Sequence, residues 1–228
     1  GGAQAKILRA HTVWHLLTMS SGSRFNEVGS VLDEKWEKMF MESIPKFEAG
    51  SAFEYNSMNS YMLAAILRRR TGMTLTEFLA PRLYKPLGIA CHEWEKCPQG
   101  MEKGGWGLAL TLEDSAKLGQ LYLNKGVWEG KRILSEKWCN DALRVQIKTP
   151  GGEMKHGYGY QIWMADREGS FQALQIEPRL SHDPCSPFQC RSESRRAGPR
   201  RWAAPVPAGT SAYLGSLSRD SASFRADS

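Results

Sequence analysis

No run of about eighteen apolar residues occurs in the 228-residue chain, which excludes a membrane-spanning helix. The opening Gly1-Gly2-Ala3-Gln4-Ala5-Lys6-Ile7 has neither the apolar core of a signal peptide nor a starting methionine, so a cut or partial chain is expected. The five cysteines (Cys91, Cys97, Cys139, Cys185, Cys190) are odd in number and lack zinc-ligand spacing, and a reduced cytoplasmic protein is the default expectation. There is no Gly-x-Ser-x-Gly elbow, no phosphate-binding glycine loop and no metal-ligand cluster, so neither a cofactor nor a metal is expected.

Lysine is missing from the last quarter of the chain. All 13 lysines lie at or before Lys155, whereas residues 172–228 hold 8 of the 17 arginines, 6 of the 11 prolines and 10 serines. That segment shows no helical or strand periodicity and cannot offset its own ordering entropy, which predicts a disordered tail. The abrupt change of composition suggests a reading-frame change or a foreign junction. The domain expectation is therefore a folded part over 1–171 and an Arg/Ser/Pro-rich, out-of-frame tail over 172–228. Arg195-Arg196 and Arg200-Arg201 give the tail a basic character, but no aromatic platform is interleaved with them. A polyanion-binding role is the weakest functional alternative, and no specific nucleic-acid partner is expected.

What is present is mostly helical patterning. Thr12 reads as the N-cap of a helix from Val13 to about Ser20, closed by Gly22, with His15 as a structural residue inside it. Asp33 to about Ser43 carries Trp36, Met39 and Phe40 at helical spacing. Thr74 with Glu77 forms a capping-box pattern for Leu75 to about Leu83, which stops before Pro86. Thr111 with Asp114 starts a further helix, and Ser135 caps another. Gly157–Met164 reads as a strand, rich in aromatic and β-branched residues.

The most informative stretch is Phe53-Glu54-Tyr55-Asn56-Ser57-Met58-Asn59, leading into the nearly all-apolar Ser60–Leu67 and ending at Arg68-Arg69-Arg70-Thr71-Gly72. A helix of this kind is buried all round, and its first turn would hold the Tyr55 hydroxyl rigidly. Three other blocks accompany it in order: Thr12–Gly22, containing His-Leu-Leu-Thr-Met-Ser-Ser-Gly; Lys103-Gly104-Gly105-Trp106-Gly107-Leu108; and Tyr158-Gly159-Tyr160-Gln161-Ile162-Trp163. This succession resembles the class C β-lactamase and D-Ala-D-Ala carboxypeptidase-like serine hydrolases, a family of β-lactamases, peptidases, esterases and amidases. The resemblance covers about residues 6–171. It implies an α+β fold, a helical domain inserted into an antiparallel sheet flanked by helices. These residues would supply mainly the helical domain and about one strand, as a fragment.

The resemblance also implies chemistry. An acyl-serine route needs a serine and a lysine one helical turn apart, with a tyrosine relaying a proton to the leaving group. Tyr55 is the catalytic residue expected by resemblance. Ser57 stands where the commoner pattern has asparagine; it is expected to touch substrate or, alternatively, to cap the helix, and its shorter reach weakens a penicillin-type assignment. Gly105 is expected either to line the cleft edge or to form a tight turn. The lone Ser-x-x-Lys, Ser43-Ile44-Pro45-Lys46, is rejected as nucleophile because Pro45 disfavours the helical conformation at Ile44. Lys148-Thr149-Pro150 imitates the family's third motif, but proline replaces its glycine and it precedes the Tyr158 block. The expected function is thus part of an acyl-serine hydrolase of small amides or esters, inactive as it stands, with a non-catalytic binding module of the same fold as the alternative.

Overall fold

The computed structural model describes residues 11–90, 93–151, 156–164, 171–172 and 176–178. Helix α1 (Val13–Leu17) is followed by α2 (Glu27–Leu32), α3 (Trp36–Glu42), and the long α4 (Met58–Thr71). Helix α5 (Leu75–Leu79) continues through a π-type turn (Ala80–Tyr84) into a last helical turn (Lys85–Leu87). Strands β1 (Glu93–Trp94) and β2 (Leu108–Leu110) precede α6 (Leu112–Leu123); the hairpin β3 (Val127–Trp128) and β4 (Lys131–Arg132) precedes α7 (Glu136–Ala142). Strands β5 (Trp163–Met164), β6 (Phe171–Gln172) and β7 (Ile176–Pro178) complete the described part.

Several elements start where the sequence places a cap. Thr74 accepts the Glu77 N–H, and Glu77 returns a carboxylate to the Thr74 N–H at 2.9 Å, so two orphan donors are met reciprocally. Thr111 and Ser135 accept the N–H groups of Asp114 and Trp138 at 3.1 Å each. Helix α4 ends on Gly72 in the left-handed conformation, φ 72°, with its three arginines in the last turn. Its first two turns are buried on every face, from Met58 to Met62 and again at Ala64 and Ala65.

Three expectations are corrected. The helix expected from Leu75 to about Leu83 does not stop before Pro86. The backbone widens to the π-type turn over the Pro81 segment, tolerates a ring without an N–H, and ends only at left-handed Gly88. Helix α2 was not expected, since its Glu-Val-Gly-Ser-Val-Leu sequence carries a glycine and β-branched residues; the Asn26 side chain, accepting the Gly29 N–H at 3.3 Å, starts it. The strand expected over Gly157–Met164 is mostly a tight turn. Gln161 has φ 59°, Tyr158 bridges back to Trp163, and only Trp163–Met164 is strand.

Residues of the segment expected to be disordered do pair where they are described. Gln172 lies opposite Trp163, and Ile176–Pro178 runs parallel to Leu108–Leu110. Backbone pairing needs no apolar periodicity, which is why composition missed it. The rest of that segment, with its arginine pairs, lies outside the described residues. Cys97 and Cys139 are buried free thiols; the other three cysteines are also outside. Among the described residues no helix is long and apolar enough to cross a membrane.

One core joins Leu16 of α1, Trp36 and Phe40 of α3, and Met58, Tyr61, Met62 and Ala65 of α4. A second joins Tyr84, Leu87, Ile89, Leu110, Leu121 and Trp128. A third, small and aromatic, consists of Met19, Tyr158 and Trp163 with Phe53 and Ile147 against it. The loop that carries Tyr55 runs between the first and the third.

Candidate functional site

The loop before α4 is fixed by its neighbours at almost every residue. Glu54 N–H donates to Met19 O at 2.9 Å, tying the loop to the end of the α1 block. Asn56 is buried; its amide NH2 donates to Phe25 O at 2.9 Å and Ser23 O at 3.2 Å, and its oxygen accepts the Met58 N–H at 2.9 Å. Ser57 N–H donates to the Glu27 carboxylate at 2.8 Å. Asn56 and Glu27 therefore satisfy the N-terminal donors of α4, and Ser57 makes no side-chain cap. The capping alternative for Ser57 is thus corrected: an asparagine one residue earlier, with its shorter two-residue reach to Met58, performs that role.

Tyr55 itself is 37% exposed, although Asn56 beside it is buried. Its ring stacks on Trp163 at a centroid distance of 5.5 Å and an interplanar angle of 25°. The other described phenols nearby are poor proton carriers. Burial, then the adjacent Cys97 thiol, pushes the Tyr61 hydroxyl far above its ordinary value. Burial, and then the proximity of Tyr55, does the same to Tyr158. Of Tyr55, Tyr61 and Tyr158, only Tyr55 is exposed.

Ser57 and Gly105 are brought together, and Tyr55 meets neither in any described ring contact. A Cβ on Gly105 would stand 2.4 Å from Ser57 O, so the Lys103–Gly105 turn can approach α4 only with glycine there. Gly105 N–H closes that turn on Lys103 O at 2.7 Å. Beside this contact lies a cavity of about 680 Å³, lined by Glu27, Trp36, Ser57, Lys103 and Trp106 among others. Trp36 and Trp106 stack at 5.6 Å, and Lys103 sits 5.3 Å from the Trp106 ring while pairing with Glu95 at 2.5 Å. A second cleft, of about 850 Å³, runs between α3 and the Met62–Arg69 side of α4, and none of Tyr55, Ser57 or Gly105 lines it.

Ser43 and Lys46 are not one helical turn apart. Ser43 is the extended C-cap of α3, its hydroxyl donates to Phe40 O at 3.0 Å, and Lys46 pairs with Glu54. His15 has a structural role, its Nδ1 accepting the Thr12 N–H at 3.1 Å, and burial followed by His11 lowers its pKa. Among the described residues no group of three or more His, Cys, Asp or Glu could hold a metal ion.

Sequence reading missed Glu27 and Trp163 as partners of the tyrosine loop, and Gln161 as a partner of α4 and α1. Glu27 lies in the unexpected helix α2. Trp163 was read only as a strand residue, and no local pattern announces a ring contact across 108 positions.

Comparison with known proteins places these features. The family model described as Beta-lactamase matches residues 5–214. A 6-aminohexanoate-dimer hydrolase from Paenarthrobacter ureafaciens is 32% identical over 94 residues, covering 40% of this chain and 24% of that protein. The structure provisionally named a 6-aminohexanoate-dimer hydrolase from Bacillus anthracis is 31% identical, with TM-score 0.52, covering 60% of this chain and 36% of that one. The octameric penicillin-binding protein homologue from Pyrococcus abyssi shares the fold at TM-score 0.53 and 23% identity, over 66% of this chain and 42% of its own. The chain thus spans about a quarter to two fifths of the length of these relatives.

Proposed function

The chain belongs to the beta-lactamase family, and on that premise we propose that it carries the tyrosine-bearing helical portion of an acyl-serine hydrolase of small amides or esters. The reaction of such a site forms a bond between a serine oxygen and the substrate carbonyl carbon. The leaving amine or alcohol departs with a proton relayed through the tyrosine, and water then releases the acid. Tyr55 takes the relay role. The observation that carries this is the combination of an exposed phenol with a loop pinned on both sides, at Met19 and at Asn56. A proton relay requires that combination: access for the substrate, and a hydroxyl that does not wander.

Amides are the favoured substrates. Two relatives above 30% identity are named for hydrolysing the 6-aminohexanoate dimer, and Ser57 replaces the longer asparagine that suits penicillin-type acyl amides. Ser57 borders the substrate through the cavity it shares with Trp106, and Gly105 packs against the Ser57 carbonyl beside it.

The 228 residues by themselves are inactive in this reading. Their only Ser-x-x-Lys is the broken Ser43–Lys46 pair, so no amine stands ready to take a serine proton. Treatment of the purified chain with a fluorophosphonate and with a fluorescent penicillin, followed by intact-mass measurement, tests this. No adduct is expected. Stoichiometric modification of one serine would overturn the proposal.

A further inference from the structure

The cavity beside Ser57 carries an unbalanced charge. Two ammonium groups line it, Lys96 and Lys103, against a single carboxylate, Glu27. Glu27 is engaged at the start of α4, where it accepts the Ser57 N–H at 2.8 Å. Lys103 is engaged as well: it pairs with Glu95, which lies outside the lining, and rests 5.3 Å from the Trp106 ring centroid. Lys96 differs from both. It is exposed, and among the described residues it makes no ion pair and no side-chain hydrogen bond. Its field reaches Glu77, whose carboxyl is held below its ordinary value by the Thr74 hydrogen bonds first, then by Arg68 and Lys96. The backbone beneath Lys96 is nonetheless fixed. Lys96 bridges to Glu102, Cys97 N–H donates to Met101 O at 2.8 Å, and Lys103 N–H donates to Glu95 O at 3.0 Å. Cys97, Met101 and Glu102 are all buried. A spare positive charge therefore stands on a rigid hairpin, beside a wall of two stacked indoles, Trp36 and Trp106. The volume of about 680 Å³ is that of a small-molecule site.

We propose that this cavity takes the carboxylate end of an amide substrate, with Lys96 as its counter-ion and Trp106 as the apolar wall for the connecting chain. The inference rests on the reading above that Ser57 borders the substrate, and it narrows the substrate class to amides with a terminal carboxylate. A carboxylate fits better than a phosphate. One spare ammonium balances a single negative charge, and among the described residues the lining offers no arginine to grip a phosphate by two nitrogens.

The full 15N-labelled chain tests this by titration with N-acetyl-4-aminobutanoate and with its methyl ester at low ionic strength. The indole N–H signals are followed, with that of Trp106 assigned by its loss in Trp106→Phe. The acid is expected to move the Trp106 signal and to bind about two- to fivefold tighter than the ester. In Lys96→Gln the acid falls to the affinity of the ester, whereas Lys96→Arg keeps the preference. Lys35→Gln, an exposed charge lining the other cleft, leaves it unchanged. Equal binding of acid and ester by the parent overturns the proposal and leaves the amide reading standing. A preference that survives in Lys96→Gln, or is lost equally in Lys35→Gln, overturns it too, as does binding that leaves the Trp106 signal in place. Binding of neither compound overturns it together with the assignment of the cavity to substrate. A serine adduct, which sinks the functional reading, is measured by mass and does not depend on these signals.

Discussion

The carboxamide of Gln161 accepts the Ser60 hydroxyl in the first turn of α4 and donates to Leu16 O at 3.0 Å and Leu17 O at 3.2 Å. One side chain thus joins three blocks that lie as much as 145 residues apart. It does so from a left-handed backbone, φ 59°, which a non-glycine residue adopts at a cost of about 1 kcal/mol. The same turn delivers Trp163 to Tyr55.

Gln161 can be tested against its own backbone. Gln161→Ala removes the bonds and keeps the strain, and should lower unfolding free energy by about 1–3 kcal/mol. Gln161→Gly removes the same bonds but relieves the positive φ, so it should be about 1 kcal/mol more stable than the alanine variant. Urea unfolding of both variants checks this, and equal stabilities would mean that the left-handed backbone carries no strain.

Two glycines should respond oppositely to alanine. At Gly105 a methyl would meet the Ser57 carbonyl at 2.4 Å, a backbone atom that cannot swing aside, so Gly105→Ala should destabilise by about 1–3 kcal/mol. It should also widen the cavity beside Ser57. At Gly119, inside α6, a methyl meets nothing within 4 Å, and Gly119→Ala should stabilise by about 0.5–1 kcal/mol. Paired thermal and urea melts give both signs in one experiment.

Buried phenols make the fold sensitive to alkali. Burial, acting first in each case, holds the pKa values of Tyr61, Tyr84 and Tyr158 above the value near 10 of an unfolded chain. A raised folded pKa gives stability that is complete below the unfolded pKa and is lost as pH rises beyond it. Tm should therefore stay level between about pH 7 and 9 and fall steeply above about pH 10. Tyr61→Phe, which gives up only a 3.8 Å contact with the Cys97 sulfur, should make that fall shallower by up to about 1.4 kcal/mol per pH unit. An unchanged slope would show that Tyr61 does not contribute.

Much of the helical frame is legible residue by residue. Thr74 with Glu77, Thr111, Ser135 and Gly72 each mark an end through a bond made within three residues or a backbone angle that glycine favours. Pro86 misled because it falls at the start of the last helical turn, Lys85–Leu87, that follows the widened turn, and Gly157–Met164 misled because its aromatic composition is that of a strand while Gln161 bends it back. The aromatics there serve a ring cluster.

For the site, the division follows distance along the chain. The sequence alone determined the family blocks, the tyrosine ahead of a buried helix, and the lack of a usable Ser-x-x-Lys, because these are local patterns of residue type and spacing. Only the tertiary structure decided that Asn56 rather than Ser57 completes the helix start, that Gly105 touches Ser57, and that Trp163 lies against Tyr55. Those facts depend on backbone approach and ring orientation between segments separated by up to 108 positions. Such contacts come from the packing of the whole core, which no short stretch of sequence encodes.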